Sequence, residues 1–300
     1  MSFFNDLIVI AVQAMPKSVV GFFSKKYIAG ETLADAVQVV KNFNKRGILA
    51  TMDVLGESVK NKQEALDAKC KGLEVLNAIS ENKLNANLSV KLTQLGLLLD
   101  EEFCYQNVEE LVSRANEINN FVRVDMEDAP TTDATFRIVK RLRQNYKNVG
   151  IVVQAYLKRT YDDVIVNSAV INNYRLCKGI YNESPTIAYK DKQQIRDNYI
   201  KVLDYMLKNG IYVGIATHDE YLIKKAYQMI KDLGISKDKF EFQMLLGVRE
   251  DLRNKINNDG YKIRIYTPFG KDWYPYSIRR LKENPQMAGH IFRALFRFKK

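Results

Sequence analysis

The chain reads as an α/β protein built on a (β/α)8 barrel, and three observations point there. Eight short β-branched or apolar runs recur along its 300 residues, nearly all ending in a polar or charged residue. Segments with apolar residues at helical spacing lie between them, so strand and helix alternate and the sheet is expected to be parallel. The length suits one barrel of roughly 250 residues with an extra N-terminal helical piece.

Residues 1–46 read as a helical arm, and residues 47–300 as the barrel domain with a basic C-terminal helix. Within the arm, residues 7–15 are apolar, but Asp6 precedes them where an export signal carries positive charge and Pro16 follows. That stretch therefore reads as a packing helix. The strand runs are 48–53, 88–91, 121–125, 151–154, 174–178, 212–218, 240–243 and 262–266, each the length of a buried strand. Between them, Val108, Leu111, Val112 and Ala115, and later Ile195, Tyr199, Val202, Leu203 and Met206, recur at helical spacing. In such barrels the chemistry sits at the carboxyl ends of the strands. Here those ends carry Asp53, Lys91, Asp125, Gln154, Arg175, Lys178, Thr217, His218, Gln243 and Tyr266. One alone could be a strand end turning to water; together they outline a site.

A chain 46% hydrophobic and 27% charged suits a globular protein with a sizeable core. Its three cysteines, Cys70, Cys104 and Cys177, lack metal-ligand spacing and suit a reducing compartment. With two histidines, His218 and His290, no zinc or iron site is expected. No stretch is long enough to span a bilayer.

The net charge of +11 is uneven, because residues 261–300 hold ten Lys or Arg against two Asp or Glu. The final IFRALFRFKK sets Phe292, Leu295 and Phe296 on one helical face and Arg293, Arg297 and Lys300 on another. Such a helix could lie on an anionic membrane, dock to a partner, or pack on the barrel by its apolar face. The basic residues belong to no nucleic-acid motif, so nucleic acid is not an expected partner.

After the eighth strand, RIYTPFG and KDWYPYSIRRLKENP place Tyr276 one helical turn from Arg279 and Arg280. Adjacent arginines can clamp a carboxylate, and Tyr266 and Tyr276 can wall off a small apolar ring.

These motifs, taken in order, resemble proline dehydrogenase in its short monofunctional bacterial form. The match runs through DVLGE at Asp53, SVKL at Lys91, VRVDMED at Asp125, VVQAYLKR at Gln154, YRLCKGIY over residues 174–181, GIATHD over 214–219, EFQMLLG at Gln243, and the final tyrosine and double arginine. The resemblance implies a distorted barrel whose last helix lies over the mouth. It implies FAD-dependent oxidation of L-proline to Δ1-pyrroline-5-carboxylate, with hydride passing from C5 to flavin N5 and electrons then reaching membrane quinone. That reaction is the first step of proline breakdown to glutamate.

By the same resemblance, Asp125 and Arg175 would be catalytic, and Lys91, Tyr266, Tyr276, Arg279 and Arg280 would bind proline. Met126, Gln154, Arg175, Lys178, Gly179, Ile180, Thr217 and His218 would hold FAD, although Ile180 stands where alanine is commoner. Glu57, in the loop after the first strand, could pair with Arg279 as a gate that closes the mouth. The protein would be cytoplasmic, and peripheral on the inner face of the cell membrane if its C-terminal helix binds lipid. Two rival readings remain at this point. One is a Schiff-base aldolase using a strand-end lysine such as Lys91. The other is a non-enzymatic membrane-associated scaffold exploiting the basic C-terminus.

Overall fold

The computed structural model describes residues 21, 24–56 and 58–283, without the side chains of residues 279–283. Helix α1 (Leu33–Asn44) leads into β1 (Leu49–Val54), and α2 (Lys62–Glu81) into β2 (Ala86–Val90). The alternation continues with α3 (Glu101–Glu117), β3 (Val122–Val124), α4 (Thr132–Asn145), β4 (Val149–Gln154), α5 (Thr160–Asn167) and β5 (Asn173–Cys177). It ends with α6 (Lys192–Lys208), β6 (Tyr212–Ala216), α7 (Glu220–Asp232), β7 (Phe240–Leu245), α8 (Glu250–Asn258), β8 (Ile263–Phe269) and α9 (Trp273–Glu283). All eight strands pair in parallel and in chain order, and β8 closes on β1 with Leu49 opposite Arg264 and Val54 opposite Phe269. The expected barrel is the one observed.

Local chemistry fixes where helices begin. Thr32 and Asp35 form a reciprocal capping box at α1, and the side chains of Asp100, Asp191 and Asp219 accept from the first-turn amides of α3, α6 and α7. Each such cap stabilises its helix by about 1 kcal/mol. The helices bury one stripe each against the outer face of the strands. For α3 that stripe includes Val108, Leu111, Val112 and Ala115, all fully buried. Helix α1 likewise contributes Ala36, Val40 and Phe43 to the main core.

The outward-facing strand residues are apolar apart from Thr267, whereas the bore is largely polar. Residues two apart on one strand share a face, which pairs Arg123 with Asp125, Asn173 with Arg175, Glu241 with Gln243, and Arg264 with Tyr266. The lower members meet one another near the amino ends: Arg264 forks onto Glu241, and Arg123 donates to Asn173 and to the Ile151 carbonyl. The upper members form the site described next.

Helix α9 departs from the repeating pattern. Its Tyr276 packs with Tyr27, Ile28 and Leu55, the last lying just beyond β1, while Val248 beyond β7 and Trp273 complete the cluster. The last helix therefore caps the carboxyl end of the barrel instead of flanking its strand. The segments 1–20 and 284–300, where the sequence predicts a packing helix and a basic C-terminal helix, lie outside the described residues.

Candidate active site

Three strands, β2, β5 and β8, bring four side chains onto one carboxylate. Asp125, just past β3, accepts at Oδ1 from Ser89 Oγ at 2.7 Å and from Arg175 Nη1 at 2.8 Å. Its Oδ2 accepts from the Tyr266 hydroxyl at 3.1 Å and from Lys91 Nζ at 3.4 Å. Lys91 also donates to Tyr266 at 3.1 Å and, more closely, to Asp53 Oδ1 at 2.7 Å. The Arg175 guanidinium faces the Tyr266 ring at 5.3 Å from its centroid, within cation–π range. Its Nε donates to Gln243 Oε1 at 2.6 Å. Lys91, Asp125, Arg175 and Tyr266, expected at one site from the sequence, are thus brought together.

Burial and charge act on this cluster in opposite directions. Burial pushes the Asp53 carboxyl up, Lys91 opposes that and Asp125 adds to it; the net shift is upward. For Asp125 burial is again the largest influence, yet Lys91, Arg175 and the Ser89 and Tyr266 hydrogen bonds outweigh it and hold the carboxyl below its ordinary value. Burial disfavours the Lys91 ammonium, but Asp53, Tyr266 and Asp125 overcome it and lift its pKa well above that of free lysine. Burial, followed by the two carboxylates, lifts the Tyr266 phenol well above its usual range. At neutral pH Lys91 is therefore an ammonium, Tyr266 a neutral phenol and Asp125 an ionised carboxylate.

Beside this cluster, Gln154 at the end of β4 donates from Nε2 to the carbonyls of Met126 at 2.9 Å and Glu127 at 3.1 Å. Both donors of the amide are committed, and its buried Oε1 has no protein partner. Glu127 is itself tied to Thr93 through the backbone N–H at 3.0 Å and Oγ1 at 2.6 Å, which locks the loops after β2 and β3 together.

Around the rim, Lys178 follows β5 and reaches Asp219 at 3.4 Å, while Arg196 forks onto the same carboxylate at 2.9 and 2.7 Å. Burial works against ionised Asp219, but these cations prevail and bring its pKa down to about 2. Gly179 has φ of +102°, and a Cβ there would lie 2.0 Å from the Tyr156 ring, so only glycine fits. Ile180 beside it is 42% exposed, which leaves its side chain available at the rim. Thr217 Oγ1 accepts from the Asp219 amide at 3.1 Å. His218 Nε2 accepts from the Leu245 amide at 2.9 Å, which assigns the ring proton of the neutral form to Nδ1.

Tyr276 is buried in α9 above this end of the barrel. Arg279 and Arg280 follow on the same helix, but their side chains lie outside the described residues. Glu57, the other half of the expected gate, also lies outside them. Among the described residues, no group of three or more His, Cys, Asp or Glu is arranged to hold a metal. Among them, too, no helix is long and apolar enough to cross a membrane.

Sequence reading placed Gln243 at a strand end but missed Ser89, the Thr93–Glu127 tie and Glu241, to which Gln243 donates. A signal was present, because polar residues alternate with apolar ones inside runs such as Glu241-Phe242-Gln243.

Residues 36–293 match the family model described as proline dehydrogenase. The chain is 36% identical over 270 residues to proline dehydrogenase 2 of Bacillus subtilis, covering 90% of this chain and 89% of that relative. It is 32% identical over 279 residues to the proline dehydrogenase of Deinococcus radiodurans, covering 91% and 90%. Among solved structures it resembles proline utilization A from Bdellovibrio bacteriovorus inactivated by N-propargylglycine, with a TM-score of 0.82 and 27% identity. That likeness covers 87% of this chain and 32% of the larger protein.

Proposed function

We propose, from the premise that this chain belongs to the proline dehydrogenase family, that it oxidises L-proline to Δ1-pyrroline-5-carboxylate with FAD as cofactor and membrane quinone as electron acceptor. The observation that carries the reading is the part-buried cluster of Lys91, Asp125, Arg175 and Tyr266 at the carboxyl ends of a barrel from this family.

The residues fit a flavin. Gln154 offers a buried acceptor with no protein partner, held rigid by two carbonyls, which suits an N–H at the edge of a heteroaromatic ring. We assign FAD binding to Met126, Gln154, Arg175, Lys178, Gly179, Ile180, Thr217 and His218. The chemistry a bound FAD supplies is acceptance, at N5, of the hydride that leaves C5 of proline. No glycine-rich dinucleotide loop is needed for such binding in a barrel.

The protein's own task is to orient the substrate. Proline offers few handles, and planar arginine recognition of its carboxylate by Arg279 and Arg280, with Lys91 as a further cation, would fix the ring between Tyr266 and Tyr276. A cationic, water-poor pocket also disfavours the protonated ring amine, whose lone pair must be free for hydride to leave. Asp125 holds Lys91, Arg175 and Tyr266 in a fixed relation and partly balances their charge. Arg175, set between Asp125 and Gln243, would present positive charge to the reduced cofactor. Pairing of Glu57 with Arg279 would close the mouth and exclude water.

The division into an arm over residues 1–46 and a barrel domain over 47–300, and membrane contact through the basic C-terminus, belong to the same proposal. A Schiff-base reading of Lys91 is disfavoured by its own surroundings. A nucleophilic lysine needs its ammonium destabilised, whereas Asp53 and Asp125 stabilise this one.

The visible spectrum of the purified protein, before and after anaerobic addition of L-proline, tests the reading. A flavin band that bleaches is expected. A band indifferent to proline would overturn the substrate, and failure to take up added FAD would overturn the cofactor.

A further inference from the structure

A charged residue buried deep in the bore is connected to the site through one amide. Glu241 and Gln243 lie two apart on β7, are 2% and 6% exposed, and both point into the barrel. Gln243 Nε2 donates to Glu241 Oε1 at 2.6 Å, and Gln243 Oε1 accepts from Arg175 Nε at 2.6 Å. Glu241 is anchored from the other side by the Arg264 fork at 2.6 and 3.0 Å, and Arg264 is fixed in turn by the Ala50 carbonyl at 2.7 Å. The backbone makes room for this arrangement at Gly214. A Cβ there would lie 2.4 Å from Gln243 Nε2 and 2.8 Å from its Cδ, and Gly214 pairs in register with both Arg175 and Glu241.

We infer that Glu241 and Gln243 act as a positioning relay that sets the orientation of Arg175. A glutamine side chain offers a donor at one end and an acceptor at the other, and nothing in its shape decides which faces a neighbour. Arg175 Nε can only donate, so the site works only with Oε1 towards it. The Glu241 carboxylate, which can only accept while ionised, enforces that sense by requiring the donor end. With the amide reversed, two donors would face each other and the guanidinium would turn away from the plane defined by Asp125 and Gln243. The relay is directional: Arg264 holds Glu241, Glu241 orients Gln243, Gln243 holds Arg175, and Arg175 binds Asp125. Its functional consequence rests on the proposal that Arg175 faces a bound flavin.

The test uses the full chain loaded with FAD and three variants. Gln243→Leu removes the relay at similar volume. Gly214→Ala leaves every polar group in place and pushes a methyl into the Gln243 amide. Glu241→Gln removes the charge that dictates the sense of the amide. The readouts are the flavin midpoint potential without proline, and the rate of flavin reduction against KM for proline. Misplacement of a reacting group by about 1 Å costs up to roughly a hundredfold in rate. Gln243→Leu and Gly214→Ala should therefore slow flavin reduction about tenfold or more and shift the potential to lower values, with KM changing far less. Glu241→Gln should move both readouts in the same direction by less.

Wild-type potential and reduction rate in a folded Gln243→Leu or Gly214→Ala protein would overturn the relay. Should Gln243→Leu fail to fold, Gly214→Ala decides alone. A Glu241→Gln protein matching the wild type would overturn the role of Glu241. These failures are separate from failure of the functional reading, in which the wild type itself would bind no flavin or ignore proline.

Discussion

Lys91 donates to Asp53 at 2.7 Å, closer than its 3.4 Å approach to Asp125, so one ammonium is shared unequally between a buried carboxylate and a part-buried one. The arrangement leaves Asp125 the better-stabilised anion, because it also receives Arg175, Ser89 and Tyr266.

Lys91→Met should strand Asp53, which is only 1% exposed. Removing one partner of a buried pair costs about 3–5 kcal/mol, to be measured by denaturant unfolding at mildly alkaline pH. Without Lys91 the Asp53 carboxyl rises further above its unfolded value, so the folded state binds a proton more tightly than the unfolded state does. The penalty should therefore shrink as pH falls towards the carboxyl range. Asp125 contributes the opposite dependence in the wild type. Its lowered carboxyl provides stability above the unfolded value of about 3.9, and this is lost as pH falls through the folded value.

Arg175→Lys retains charge but cannot donate to Gln243 and Asp125 from one rigid plane. Proline-dependent flavin reduction should fall by about a hundredfold, as for loss of a well-placed charge-stabilising donor. Stopped-flow bleaching of the flavin band measures it, and near-wild-type reduction would refute the role given to the guanidinium.

Gly179→Ala forces a side chain into a left-handed backbone position and into the Tyr156 ring. Backbone strain alone costs about 1–3 kcal/mol, and the rim loop must shift to relieve the overlap. A lower melting temperature and weaker FAD retention in equilibrium dialysis are expected together.

Deletion of residues 291–300 should weaken binding to anionic liposomes more than it weakens activity with a soluble dye. Each basic residue near such a surface is worth about 1 kcal/mol. Equal liposome sedimentation of the two forms would remove the basis for peripheral attachment.

The strands were legible because a buried parallel strand is a short, dense run of β-branched and apolar residues. The run expected over 174–178 is β5 (Asn173–Cys177), and that over 240–243 is the first part of β7 (Phe240–Leu245). Ends were less legible. The run expected over 212–218 stops as a strand at Ala216, and Thr217 and His218 already belong to the loop. Lys91, Asp125 and Tyr266 could be proposed for one site because each closes a strand run, and in a barrel all such ends gather at one face. The position of Ser89 beneath Asp125, or of Gln243 beneath Arg175, depends on the stagger between strands, which pairing sets and composition does not encode. Glu241 illustrates the limit best. Its place between Arg264 and Gln243 emerges only when β7 and β8 pair, with Gln243 opposite Arg264.

The polar bore has a thermal consequence. Unfolding hydrates polar groups as well as apolar ones, and the two change the heat capacity with opposite sign. A barrel that buries Arg123, Glu241 and Asn87, and half-buries Arg264 and Asn173, where others stack aliphatic layers should unfold with a smaller heat-capacity increment. Its stability curve would then be flatter, with less loss of folding free energy on cooling.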